Sequence, residues 1–227
     1  MAFSGGPTRV VPTNSTSAMA QFFIVHPNNP QKRLIDQAVR MVASGAVIAY
    51  PTDSCYALGC HLADKAAVER LRAIRELDDR HHLTLVCADL GQIAQFAHVD
   101  NRAFRLLRRA TPGSFTFILR ATREVPRRLV QAKRDTIGLR IPDHAVALAL
   151  LKALGEPLLS ATLQLPGDDA PLLDAADIRA RLERKIDLII DAGPCGVLPT
   201  TVVDLTGEEP ALVRLGRGDP AALGLAA

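Results

Sequence analysis

Short apolar runs alternate with amphipathic helical patterns along almost the whole chain, and this alternation limits the fold more than any other feature. Runs at 21–25, 46–50, 83–87, 114–120, 136–141, 157–161, 186–190, 200–205 and 211–215 have strand-like lengths and are bounded by Pro, Gly or polar residues. Between them apolar residues recur at helical spacing. Asn29-Pro30 reads as the N-cap and first position of a helix with Leu34, Ile35, Ala38, Val39 and Val42 inward and Gly45 just past its end. Asp64, Asp100, Asp143 and Asp174 each stand where a carboxylate caps a following helix. The Asp64 helix shows Ala67, Val68, Leu71 and Ile74 to the core, and the Asp100 helix shows Phe104, Leu106 and Leu107. Shorter helices are expected at 89–96 and 127–133, and further ones at 145–154 and 175–185. Strand and helix in turn argue one α/β domain, a twisted mixed sheet with flanking helices.

The first 20 residues are rich in Gly, Pro, Ser and Thr, lack periodicity and lack the apolar segment of a signal peptide, so they read as a disordered leader. The folded domain is expected over 21–218, with residues 219–227 frayed. Aromatic residues make up only 4% and Trp is absent, so the core must be aliphatic. No apolar run approaches the roughly 18 residues of a membrane span. Cys55, Cys60, Cys87 and Cys195 form no CxxC pair and read as reduced thiols of a cytoplasmic protein.

Charge is unevenly spread. Residues 102–140 hold eleven Lys/Arg against Glu124 and Asp135, a block of +9 in a chain of net charge +3. A basic block beside an acidic remainder suits a polyanionic partner such as nucleotide phosphate or RNA; a solvated, Arg-rich surface gives the same count.

The run at 46–50 breaks at Pro51, which cannot extend a ladder, and Thr52, Asp53 and Ser54 follow. Polar groups just past a strand end, with a helix next, sit where open α/β sheets bind ligands; a plain connecting loop has the same spacing. There is no GxxxxGK[ST] loop, no GxGxxG after a strand, no GxSxG elbow and no zinc-like Cys/His spacing. No catalytic nucleophile and no metal-ligand set is expected. A bound nucleotide would have to be held by hydroxyls, helix-start N–H groups and arginines. Thr52, Ser54, Thr116, Arg120, Arg140, Ser160, Thr162, Thr200, Thr201 and Arg214 stand at strand ends and supply that inventory.

Four segments taken in order resemble one family. Tyr50-Pro51-Thr52-Asp53-Ser54-Cys55-Tyr56-Ala57-Leu58-Gly59 resembles its YPT[ED]xxYGLG segment. Thr111-Pro112-Gly113-Ser114-Phe115-Thr116-Phe117-Ile118-Leu119 resembles PGPxTxIL, and Thr136-Ile137-Gly138-Leu139-Arg140-Ile141-Pro142 resembles T[IV][GA][VL]RxP. Pro199-Thr200-Thr201-Val202-Val203-Asp204-Leu205 with Val213-Arg214-Leu215-Gly216 resembles P[ST]TVVDL…[IV]RxG. The family is YrdC/YciO, and the chain is most similar to its YciO branch.

The resemblance implies a YrdC-like fold with a concave basic cavity. It also implies synthesis of threonylcarbamoyl-AMP from L-threonine, bicarbonate and ATP with Mg²⁺, serving tRNA t6A modification, and binding of tRNA or double-stranded RNA. On that pattern Thr52 and Thr200 bind substrate polar groups. Thr116, Ser160 and Thr162 help hold nucleotide and threonine, and Arg120, Arg140 and Arg214 face phosphate or carboxylate. The chain departs from the synthase pattern twice. A KxR phosphate-binding element is replaced by Arg75-Glu76-Leu77 and its surroundings, leaving Arg75 and Arg80 as substitutes, and an SxN element reads Ser160-Ala161-Thr162. A non-catalytic accessory protein binding double-stranded RNA or tRNA is the alternative, with the +9 block as its support.

Overall fold

The computed structural model describes residues 19–77, 83–130 and 135–225. Arg80, His81, His82 and residues 1–18 lie outside the described residues, as do 131–134, which hold the end of the expected 127–133 helix.

Among the described residues ten strands form one sheet. They are β1 (Gln21–Ile24), β2 (Ile48–Tyr50), β3 (Ala57–His61), β4 (Thr84–Val86), β5 (Phe115–Arg120), β6 (Thr136–Arg140), β7 (Leu158–Thr162), β8 (Leu188–Asp191), β9 (Thr201–Asp204) and β10 (Ala211–Arg214). Their order across the sheet is β1-β8-β2-β3-β7-β4-β6-β5-β9-β10. Pairing is mixed: β1, β8 and β2 run parallel, as do β4 with β6 and β5 with β9, while β3 is antiparallel to both β2 and β7. Six helices accompany the sheet: α1 (Lys32–Ala43), α2 (Lys65–Arg75), α3 (Leu90–Phe96), α4 (Asn101–Ala110), α5 (Ala145–Leu154) and α6 (Ala175–Leu182). The single α/β domain with a mixed sheet is therefore as the alternation predicts.

Two apolar clusters hold it. One gathers Ile35, Ala38 and Val42 of α1 and Val146, Leu150 and Leu151 of α5 on Ile48, Tyr50, Leu158, Leu188 and Ile190. The other takes Leu71 of α2, Ile93 of α3, Leu107 of α4 and Ile178 of α6 onto Leu58, Leu159, Leu85, Leu139, Phe117 and Val203. Successive strand residues point to opposite faces, so these are the two sides of one sheet. The first cluster draws on β1, β8, β2, β3 and β7 but takes only Val86 from β4 and nothing from β5, β6, β9 or β10. On that side no helix among the described residues packs on the second half of the sheet.

Local chemistry sets the helix ends. Asp64, Asp89, Asp100 and Asp174 cap α2, α3, α4 and α6 by accepting the backbone N–H three residues on, at 2.9, 2.9, 2.7 and 2.9 Å. Past α1, the N–H of Gly45 reaches Val42 O and that of Ala46 reaches Met41 O, with Gly45 at φ 89°.

Several expectations are corrected. α1 starts at Lys32 after Gln31, not at Pro30, because His26 Nδ1 accepts the N–H groups of Asn28 and Asn29 in a turn of their own. α5 is preceded by His144 with no side-chain cap, so Asp143 does not cap it. Phe104 faces solvent at 45% exposure; α4 instead buries Ala103, Leu107 and Ala110. After Pro126 only a 3-10 turn, Arg127–Leu129, is described. Residues 219–225, expected to fray, are packed: Asp219 caps a 3-10 turn, Pro220–Leu223, whose Leu223 is buried.

The largest correction is β3. The segment after the polar loop is a strand, so Tyr50 and Ala57 face each other across a hairpin and the unit is not strand–loop–helix. Gly59 concealed it, since glycine weakens a strand reading. Its reason is contact: a Cβ there would stand 2.5 Å from Leu158 Cδ2 and 2.9 Å from Tyr50 Cε1.

Candidate functional site

The uncovered face of the sheet bears a cavity of about 400 Å³. Its floor follows from register. Thr84 of β4 lies beside Ser160 of β7 and Gly138 of β6, and Gly138 lies beside Ile118 of β5. One residue from each of four adjacent strands therefore forms a row, and all four line the cavity. Moving two positions along a strand keeps the face, which brings in Thr162, Val86, Arg140 and Thr116, and Val202 of β9 lies beside Thr116. Thr52, Ser54 and Cys55 come from the β2–β3 loop, Pro199 and Thr200 from the approach to β9, and Arg214 from β10. Arg75, the last residue of α2, completes the basic set.

The hydroxyls are mutually tied. Tyr50 Oη and Ser160 Oγ are 2.8 Å apart, and Ser160 Oγ donates to Leu58 O at 2.9 Å. Burial pushes the Tyr50 phenol up to about 12, so it stays a neutral donor to Ser160. Thr116 Oγ1 and Thr200 Oγ1 are 2.7 Å apart. Thr52 Oγ1 donates to Cys55 O at 2.6 Å and accepts the N–H groups of Ser54 and Cys55, so this hydroxyl shapes the loop and has its proton committed.

Arg140 is the most enclosed of the charges, its side chain 9% exposed. Nη2 pairs with the Asp53 carboxylate, itself 10% exposed, and Nη1 donates to Ser54 Oγ at 3.2 Å. Ser114 Oγ donates to the other Asp53 oxygen at 2.5 Å. Arg140 Nε is buried with no partner, and so is Arg75 Nε. Arg214 Nη2 donates to Thr200 O at 3.0 Å. Burial pulls the guanidinium values of Arg75 and Arg214 down from the usual arginine range, yet both remain cations at neutral pH. The close turn after β10 needs Gly216, where a Cβ would fall on the carbonyl oxygens of Pro199 and Thr200.

The cavity walls, among the described residues, contain no Asp or Glu, whereas three guanidiniums reach them. Hydroxyl donors and N–H groups facing an enclosed space suit an anion with several oxygens. The site does not suit nucleophilic catalysis through Cys55, because burial pushes that thiol up and keeps it protonated. No group of three or more His, Cys, Asp or Glu able to hold a metal is present among the described residues.

The structure thus brings Thr52, Thr116, Arg140, Ser160, Thr162, Thr200, Arg214 and Arg75 to one cavity. Arg120 is not among them. It ends β5, is exposed, and lies in a separate groove with His98, Asp100 and Thr206. Thr201 also points away, with Oγ1 donating to Gly218 O at 2.5 Å. Sequence reasoning missed three residues that matter here. Asp53 orients Arg140, Tyr50 orients Ser160, and Gln164 lines the wall two positions beyond Thr162. A period-2 extension of β7 would have found Gln164.

Fold and cavity together define an α/β protein with an arginine- and hydroxyl-lined cavity on one half of its sheet. The family model described as telomere recombination, Sua5/YciO/YrdC, matches residues 40–216, and the chain belongs to this family. It is 56% identical over 201 residues to the uncharacterized protein YciO of Escherichia coli K12, covering 88% of this chain and 98% of that one. The crystal structure of E. coli YciO superposes with a TM-score of 0.88 over 90% of this chain and all of that chain. The threonylcarbamoyl-AMP synthase of Chromobacterium violaceum is 33% identical over 180 residues, 79% of this chain and 92% of that one. P. abyssi Sua5 complexed with L-threonine is 28% identical with a TM-score of 0.80, over 86% of this chain and 57% of that one.

Proposed function

We propose that the cavity binds ATP and an amino acid and carries out threonylcarbamoyl-AMP synthesis, within the tRNA t6A pathway of the cytoplasm. The observation that carries this reading is the convergence of Arg75, Arg140 and Arg214 on one hydroxyl-lined space without a lining carboxylate. In the reaction the L-threonine nitrogen forms a bond to CO2 from bicarbonate, giving a carbamate. A carbamate oxygen then attacks the α-phosphorus of ATP, the bond to the β-phosphate oxygen breaks, and pyrophosphate leaves. No step asks the protein for a nucleophile. It must orient two substrates and neutralise phosphate charge, which is what guanidiniums and fixed hydroxyls do. Mg²⁺ would arrive with ATP, held by the phosphates, since the lining offers it hydroxyls but no acid.

The unpartnered Nε groups of Arg75 and Arg140 support the assignment: each is a buried donor that a phosphate or carboxylate oxygen would satisfy. The test is pyrophosphate release from ATP, with and without L-threonine and bicarbonate, beside Arg75→Ala. Release that needs both co-substrates and drops about tenfold or more in the variant is expected, the size of one lost charge-assisted bond. ATP binding without release under any combination would remove the synthase reading.

A second reading, binding of double-stranded RNA or tRNA without turnover, is favoured by one observation. Arg105, Arg108 and Arg109 are exposed along α4, whose apolar side packs on the sheet face opposite the cavity. RNA affinity there would fall steeply with salt and would survive Arg75→Ala.

A further inference from the structure

The sheet has two outer strands, and they are built differently. At one end β10 breaks register between Leu212 and Arg214 and carries the Arg214 guanidinium. Bulges and charges are the usual devices that keep an edge from pairing with another chain. At the other end β1 has neither. Its ladder with β8 runs unbroken from Gln21 to Ile24, and Met19 to Val25 include no charged residue, no Pro and no Gly.

The outer side of β1 is open to pairing. The N–H groups of Gln21 and Val25 reach Asp187 O and Asp191 O, at 2.9 and 2.7 Å. Backbone groups alternate in direction along a strand, so those of Phe22 and Ile24 point away from β8, where no strand lies among the described residues. The side chains here are apolar. Phe23 and Val25 enter the cluster beneath α1. Phe22 and Ile24 face the α6 side, where the Arg179 guanidinium stands 5.5 Å from the Phe22 ring centre. Ile24 is 72% exposed, more than any other large apolar side chain among the described residues.

We infer that β1 is a self-association edge: a second copy of this chain adds its own β1 antiparallel, about a two-fold axis at Phe23, and continues the sheet. In this register Phe22 of each copy lies opposite Ile24 of the other. Each such pair exchanges both N–H···O bonds and sets an aromatic side chain against a β-branched one. Charge selects a second copy as the occupant. Near a two-fold axis a strip meets its own kind, so a charged strip repels itself and this uncharged one does not. An uncharged strip also gives no means of choosing a charged foreign segment. The edge is short beside the roughly 800 Å² per partner of a standard interface, so the dimer should be weak and concentration-dependent.

The experiment is sedimentation velocity of the full chain from about 1 to about 300 µM, with hydrogen exchange of the Phe22 and Ile24 amides at both ends of that range. Wild type should pass from monomer to dimer, and both amides should gain about tenfold or more in protection as it does. Ile24→Lys puts a charge on the edge, and Ile24→Pro removes an N–H that β8 does not use; both should stay monomeric. Leu215→Lys, beside the opposite edge, should dimerise as wild type does. Wild type that stays monomeric throughout overturns the inference. So does a dimer that survives Ile24→Lys or is lost in Leu215→Lys, since the contact then lies elsewhere. Equal protection of the two amides in the dilute monomer overturns it as well, because the edge is then covered within one copy. Should Ile24→Pro fail to fold, the Lys variant, changed only at an exposed side chain, decides alone.

Discussion

The two halves of the sheet are built from different sequences for the same strand geometry. In β2 and β8 nearly every residue is apolar and buried, because α1 and α5 press on one face and α2 and α6 on the other. In β6 apolar residues alternate with Thr, Gly and Arg, and in β5 Thr116 stands between two phenylalanines. Phe117, Leu139 and Val203 enter the core while Thr116, Gly138, Arg140 and Val202 line the cavity. The contrast shows that a strand's pattern reports how many of its faces are covered. It also shows that burial does not require apolarity: Thr116, Arg140, Ser160 and Thr200 are all under 8% exposed, and each has a partner.

The largest effect should come from breaking the buried pair that anchors the polar half. Arg140→Ala leaves Asp53 enclosed with only Ser114, and stability should fall by about 3–5 kcal/mol. Removing both, in Arg140→Ala with Asp53→Ala, should recover part of that. Urea unfolding decides it: a loss below about 1 kcal/mol would mean the polar layer merely lines the site and does not support it.

A paired measurement then separates the halves. Ile189→Ala, in the doubly covered half, should cost about 2–5 kcal/mol while the folded protein binds ATP as before. Thr116→Val, in the open half, removes the bond to Thr200 and should cost only about 1 kcal/mol, yet weaken ATP measurably. Similar stability losses with no change in ATP affinity for either would erase the distinction.

The smallest effect concerns acid. His144 precedes α5, the helix that covers one half and stops short of the other. Burial holds its imidazole below the ordinary value of 6.5, and Nδ1 is buried without a partner. A folded value below the unfolded one means the unfolded chain takes up the proton first. This contribution to stability is intact above about 6.5 and declines as pH falls from there toward the folded value. His144→Gln should flatten the stability slope between about pH 7 and 5, read by thermal unfolding at matched ionic strength. An unchanged slope would place the titration elsewhere.

Much of this was legible because strand lengths, Asp caps and the polar residues at strand ends are local signals. Asp64, Asp100 and Asp174 cap as their spacing predicts, and Arg140 and Ser160 fall where strand ends feed a cavity. What was not legible depends on partners far away in sequence. Gly59 looks like a break until Leu158 is set against it. Asp53 looks like a turn residue until Arg140 arrives from 87 positions on. Arg120 ends the same strand that carries Thr116, yet it lines a separate groove with His98 and Asp100. Phe104 faces solvent because the smaller Ala103 and Ala110, with Leu107, form the stripe that fits this helix to the sheet.

The pleat of the open half also bears on descent. Neighbouring residues of β5, β6 and β7 answer to different demands, one to the core and the next to the cavity. A substitution at an alternate position can therefore change what is held without changing what folds, and the reverse. A lineage can exchange Asn for Thr at 162, or use Gln at 164, while Leu159, Leu139 and Phe117 go on packing as before. One scaffold can in this way pass through many binding preferences by single replacements, each inherited by an already stable protein.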